Sequence, residues 1–332
     1  MSKLFLKRPA RYDCPFYTMS GAVLPMKETD RYERSRKVRD HKPRQWKGVT
    51  GGGAWGQKAL LVMSRFFHLR ILYFVLALML PFFVLFRPKG YLSAYGYFRK
   101  HFHYRPFRAF RKTWLNHFIF GQCLLDRFVV YAGAKDRFTL DNAERFEKCE
   151  SESDGIFLVS AHVGNYELSG YLIRHKKPLH TVVFAEEARE LMKYRDRMFR
   201  ENNVSMLPVK EDWSLVVSIM DALSKGDIVS MLCDRTFGSN KSVECNFLEG
   251  RADFPVGAFK LAVQCGKPVI AIFVIKKSFS RYHVHLKPLS VDTEGLSSKE
   301  QTRQYVFAFV RELESIVRMY PEQWFNYYPF WK

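Results

Sequence analysis

From about residue 150 onward, apolar runs of strand length alternate with stretches of helical character. The runs are "GIFLVSA" (155–161), "HTVVFA" (180–185), "VSMLPV" (204–209), "DIVSMLC" (227–233) and "PVIAIFVI" (268–275). Helical stretches lie between them at 166–174, 189–202, 213–224 and 255–265. Strands spaced by helices specify an α/β domain with a mixed, largely parallel sheet flanked by helices. "RYHVHLKPL" then reads as a strand near an edge, and a final helix at 299–319 carries Val306, Val310, Leu313 and Val317 on one face.

The first part of the chain has a different texture. Of the 53 Lys and Arg residues, 27 fall in residues 1–140 against 7 Asp and Glu, which accounts for the whole net charge of +20. Residues 141–332 balance, 26 against 26. Between Asp40 and Asp126 there are 14 basic residues and no acidic one. Within that window "ILYFVLALMLPFFVLF" (71–86) is free of charge, and is just short of the roughly 20 residues of a comfortable membrane span. Basic residues flank it on both sides, so no charge asymmetry orients it. A nucleic-acid surface has little use for such a run. It reads as a tilted span, a hairpin or a deeply buried interfacial helix in preference to a core helix. It starts too late and ends too basic ("RPKG") for a cleavable signal.

Three regions follow: a basic leader (1–50), a basic helical membrane-associated region (51–140) and the α/β domain (141–332). The second should hold helices at 57–69, through the apolar run, and at 106–131. In the last, Phe107, Phe110, Trp114, Phe118, Leu125 and Phe128 fall at helical spacing, and Arg105, Arg108, Arg111 and Lys112 crowd the start.

Several motifs carry little. "TGGGAWGQK" (50–58) has the glycine gap of a phosphate loop but Gln57 in place of its lysine, and no strand before it. His283 and His285 share a strand face without a third ligand nearby, so no metal site is implied. Cys14, Cys123, Cys149, Cys233, Cys245 and Cys265 form no Cys-x-x-Cys pair and read as reduced cytoplasmic thiols.

"GIFLVSAHVGNYELSGYLI" (155–173) is more informative. Its strand ends at His162 and its helix carries Glu167, with Gly164 allowing a tight turn between them. Ligands collect beyond the carboxyl ends of parallel strands. A carboxylate on one ring nitrogen would fix the tautomer and leave the other nitrogen as a base. Glu167, folded back onto the imidazole, is the expected partner. Taken alone, the spacing favours a structural histidine capping a helix. Three further segments shift that balance: "GDIVSMLCDRTFG", with Asp234 and Arg235 at a strand end; "CNFLEGRADFPVGAFKLAVQ", with Glu249, Gly250 and Arg251 before a helix; and the terminal "YPEQWFNYYPFW".

With "FGQCLLDR" (120–127), the His-x4-Glu block, Asp234, the pattern FxxGxAxFPxGxxxLA over 247–262 and Pro321–Glu322–Gln323, the chain resembles the late acyltransferases of lipid A biosynthesis, of the lauroyl/myristoyl type. These sit within the glycerophosphate-acyltransferase-like superfamily. The resemblance implies His162 as general base on an acceptor hydroxyl, with Glu167 as its orienting partner. The donor it implies is a fatty acyl thioester on acyl carrier protein, with no other cofactor and no metal. Asp234 and Arg235 are implied to shape the site or bind a polar head group. Gly250 and the helix after Pro255 would border the acyl groove, and Asn165 and Arg251 complete the expected substrate-binding set. It places the protein on the cytoplasmic face of the bacterial inner membrane, with acyl carrier protein, a lipid acceptor and an anionic membrane surface as partners. Arg235, the "WFNYYPFW" tail and the leader depart from the family pattern. They leave open another polar acceptor, such as a lysophospholipid, an amino-acid lipid or an aryl lipid. The alternative of a different class is a non-catalytic basic membrane-surface protein. A nucleic-acid binder has no supporting signature.

Overall fold

The computed structural model describes residues 53–86, 88–184, 199–209, 213–236 and 241–332. The basic leader (1–50) and most of the helix expected at 189–202 lie outside the described residues.

Seven strands form one sheet in the order β1-β9-β8-β2-β5-β3-β4. The central strands β2 (Ile156–Ser160), β3 (Leu179–Phe184), β4 (Val204–Val209), β5 (Ile228–Leu232) and β8 (Val269–Lys276) are mutually parallel. β9 (Arg281–Pro288) returns antiparallel to β8, and β1 (Thr139–Asp141) pairs with β9 at the edge. Every residue of β2 and β8 is buried. Strands covered on both faces become continuous apolar runs, which is why these two read so clearly.

Alternate side chains of β2 divide between two cores. Phe157 and Val159 join α7 (Ser214–Ser224), α8 (Gly257–Gln264) and α9 (Ser298–Met319), whereas Ile156 and Leu158 join the helices of the N-terminal part. Those are α1 (Gly53–Phe66), α2 (Leu69–Phe86), α4 (Pro106–Tyr131), α5 (Glu144–Ser151) and α6 (Tyr166–Leu172). α3 (Pro88–Lys100) packs with the first core through Tyr97 and Phe98. The described residues thus make one compact unit. Leu125, Phe128, Val129 and Val130 of α4 lie in the same cluster as β2.

Pro106 opens α4, where its missing N–H is harmless, and Pro81 sits inside α2. Ser297 caps α9 by accepting from the Glu300 N–H. A two-stranded hairpin, β6 (Ser242–Phe247) and β7 (Gly250–Pro255), was not expected. Its turn is Leu248–Glu249, both at positive φ (49° and 63°). Such turns favour Asn-Gly, so this one leaves no mark in the sequence.

Candidate active site

β2 and β5 pair in parallel with Ser160 opposite Leu232. Two residues further along each chain stand His162 and Asp234, so the sheet brings them together at its carboxyl end. His162 Nδ1 lies 2.7 Å from Asp234 Oδ1, and the His162 backbone N–H donates to Asp234 Oδ2 at 3.0 Å. The side chains are 13% and 2% exposed.

The turn after His162 tolerates only glycine. Gly164 has φ 62°, and a Cβ there would lie 2.1 Å from the Val274 carbonyl oxygen. Its N–H donates to the Gln323 carbonyl, and that of Asn165 to Val274.

Burial pushes the His162 imidazole down; Asp234 pulls it up and Arg235 pushes it down again. Burial alone would raise Asp234, yet the imidazole, Arg235 and the backbone N–H together hold it at about 2. At neutral pH the pair is a carboxylate beside a neutral imidazole. Nδ1–H then faces the carboxylate, so the unprotonated ring nitrogen is Nε2.

The C-terminal segment forms the other wall. Val163 pairs with Trp324 in an antiparallel bridge, and the Phe325 N–H donates to the His162 carbonyl. The Trp324 indole N–H points at Asp234 Oδ2 from 3.4 Å. The Gln323 side chain bonds both backbone groups of Lys276, accepting at 2.9 Å and donating at 2.8 Å, as a strand would.

A family model described as bacterial lipid A biosynthesis acyltransferase matches residues 128–332. The chain belongs to that family. No curated protein matches it. Membership makes the protein an acyltransferase of lipid A biosynthesis in the general sense, and the matched residues include His162, Glu167, Asp234 and the C-terminal wall.

In this acyltransferase Glu167 does not take the place expected of it. Its carboxylate accepts from Arg127 Nη1 at 2.8 Å and from the Tyr131 hydroxyl at 3.1 Å. The reason is geometric. α6 begins at Tyr166, so the first-turn Glu167 is carried toward α4, while Asp234 already occupies Nδ1.

Asn165 is buried and donates its side-chain amide to the Cys123 carbonyl (3.1 Å) and the Tyr282 hydroxyl (3.2 Å), which ties the loop to α4 and β9. Arg235 donates to the Phe325 carbonyl at 2.9 Å and lies over the Tyr328 ring. Gly250 lies under Trp331, where a Cβ would approach the indole to 2.2 Å, and exposed Arg251 faces Glu244 at 3.6 Å. The hairpin they occupy thus packs against the chain terminus. Phe259 and Ala262 of α8 are fully buried in the core.

Sequence reasoning gave no role to Asp126, Lys276, Gln323 or Trp324. Asp126 and Lys276 form a fully enclosed ion pair at 2.5 Å, joined by the hydroxyls of Tyr73 and Tyr282. A signal existed for Asp126: it is the first acidic residue after Asp40, set among aromatics on a helix.

Proposed function

We propose that this protein moves a fatty acyl chain from the thioester of acyl carrier protein to a hydroxyl of a lipid A precursor, with His162 as general base oriented by Asp234. His162 Nε2 takes the hydroxyl proton as the oxygen attacks the thioester carbonyl carbon. The tetrahedral oxyanion collapses, the C–S bond breaks, and the imidazolium returns the proton to the departing thiolate. Asp234 stabilises the imidazolium and fixes the ring. The thioester supplies the activation, so the reading calls for no further cofactor and no metal.

The observation that carries this is the 2.7 Å contact between His162 and the ionised, buried Asp234 at the carboxyl end of a parallel sheet. In this reading Glu167 acts at one remove, holding Arg127 and Tyr131 of α4 beside the catalytic loop. The acidic donor protein is attracted by the basic N-terminal part, where Arg105, just before α4, and Arg108 and Arg111 on it are exposed. A lipid acceptor and the apolar exposed face of α2 support membrane association, and a protein-borne donor supports the cytoplasmic side of the inner membrane.

His162→Ala should reduce acyl transfer by on the order of 10²–10⁴-fold, and full retention would reject the role. Lipid mass spectrometry of a strain lacking the gene identifies the acceptor. A lipid A species short of one acyl chain supports the reading. An unchanged lipid A with another polar lipid altered moves the same chemistry to that acceptor.

A further inference from the structure

Within the membrane association proposed above, we infer that α2 does not cross the bilayer: it lies as a one-sided wedge in a single anionic leaflet. By length alone a crossing is open to it, since its 18 residues span about 27 Å. The packing decides otherwise. Leu69, Leu72, Tyr73 and Leu80 are buried, so α2 is held to the body from its first residue to its twelfth. Leu76 lies so close to Gly121 of α4 that a Cβ there would approach it to 2.7 Å. The Tyr73 hydroxyl reaches into the enclosed Asp126–Lys276 pair. The residues beyond Leu80 cover only about 9 Å, far less than a hydrocarbon slab.

Both ends of α2 are also fastened to the same body. Before it, the carbonyls of Ser64 and Phe67 accept from Arg137 Nη1. After it, α3 starts at Pro88 and buries Phe98 completely, and Tyr97 donates to the Pro321 carbonyl at 3.1 Å. A helix whose two ends are anchored on one side cannot deliver them to opposite sides of a membrane.

What remains open is one apolar face. Phe74, Leu78, Phe82 and Phe86 recur every fourth residue of α2 and are 57–77% exposed. Phe107 and Phe110 of α4 are exposed as well, and a groove of about 480 Å³ runs between Ala77 and the Phe110–Trp114–Phe118 side of α4. The charges around this face are of one sign. Arg65, Arg70, Lys89, Arg105, Arg108 and Arg111 are exposed, and the first acidic residue of α1–α4 is Asp126, which is buried. Apolar residues framed by cations match an anionic lipid surface and no acidic groove wall.

The test uses the full-length protein in sealed, inverted inner-membrane vesicles, with Cys14 and the part-exposed Cys149 and Cys265 replaced by serine, one cysteine introduced by Arg65→Cys or Lys89→Cys, and the protein without the introduced cysteine as the labelling background. Both positions should react with a membrane-impermeant maleimide before any detergent is added. If one of them reacts only after permeabilisation, α2 crosses and the inference is overturned, while membrane association stands. If the protein does not sediment with the vesicles, both readings fall. On liposomes, the triple change Arg105→Glu, Arg108→Glu, Arg111→Glu should weaken binding to phosphatidylglycerol vesicles at least tenfold and leave binding to phosphatidylcholine vesicles little changed. Equal loss on both lipids would overturn the anionic part.

Discussion

Two carboxylates of the same kind are buried in this protein and do opposite work. Asp126 is matched by the Lys276 ammonium and two tyrosine hydroxyls, with both charged side chains at 5% exposure or less. Asp234 is matched by an imidazole, a group that titrates near neutral pH, on a side chain still 13% exposed. The ammonium spends its protons on surrounding oxygens, including the Phe279 carbonyl; the imidazole can take one up and give it back. Burial is therefore no marker of function by itself. What separates the sites is the chemistry of the partner: an ammonium stays charged at neutral pH, whereas an imidazole can gain or lose its proton there.

That contrast can be broken at either end. The largest stability effect is expected at the enclosed Asp126–Lys276 pair. Lys276→Met leaves Asp126 uncompensated in the interior and should cost about 3–5 kcal/mol, read as a lower urea midpoint in chemical unfolding. A loss near zero would mean that the pair is not enclosed. A smaller effect is expected where the C-terminal wall meets the dyad. Trp324→Phe removes one donor to a charged oxygen, worth about 1.5–3 kcal/mol. Without that donor Asp234 holds the imidazolium more strongly, so the acid limb of kcat/KM should move to higher pH. An unmoved limb would show that the indole only fills space.

The smallest effect concerns the unaltered protein. Because burial pushes His162 below its ordinary value, the acid limb should lie below pH 6.5, the reference value for a free imidazole. Activity is carried by the neutral ring, so it should persist on lowering the pH through 6.5 and fall only beyond. A limb above 6.5 would contradict the assigned protonation state.

Much of this architecture was legible in the chain. The alternation of strand-length and helical segments gave the sheet, because β2 and β8 are buried on both faces and apolar except for Ser160 and Lys276 at their ends. His162 stood out because Gly164 follows it at the end of a strand. Its partner was misread for a physical reason. A carboxylate five residues on along the chain looks near, but the nearer one comes from β5, 72 positions away and adjacent through the register Ser160 to Leu232. Strand order is a non-local fact, and a single sequence shows only local spacing. The hairpin turn at Leu248–Glu249 was hidden because neither residue advertises a positive φ. Its support includes the Leu248 N–H donating to Glu314 Oε2 at 3.1 Å, 66 residues away. Gly250 marks a close approach of Trp331.

The most direct measurement is kcat/KM for acyl transfer by Asp234→Asn beside Glu167→Gln, with circular dichroism confirming that both fold. The account predicts a loss on the order of 10²–10⁴-fold for Asp234→Asn and a much smaller one for Glu167→Gln. The reverse order, with Glu167 the more costly residue to neutralise, would contradict it.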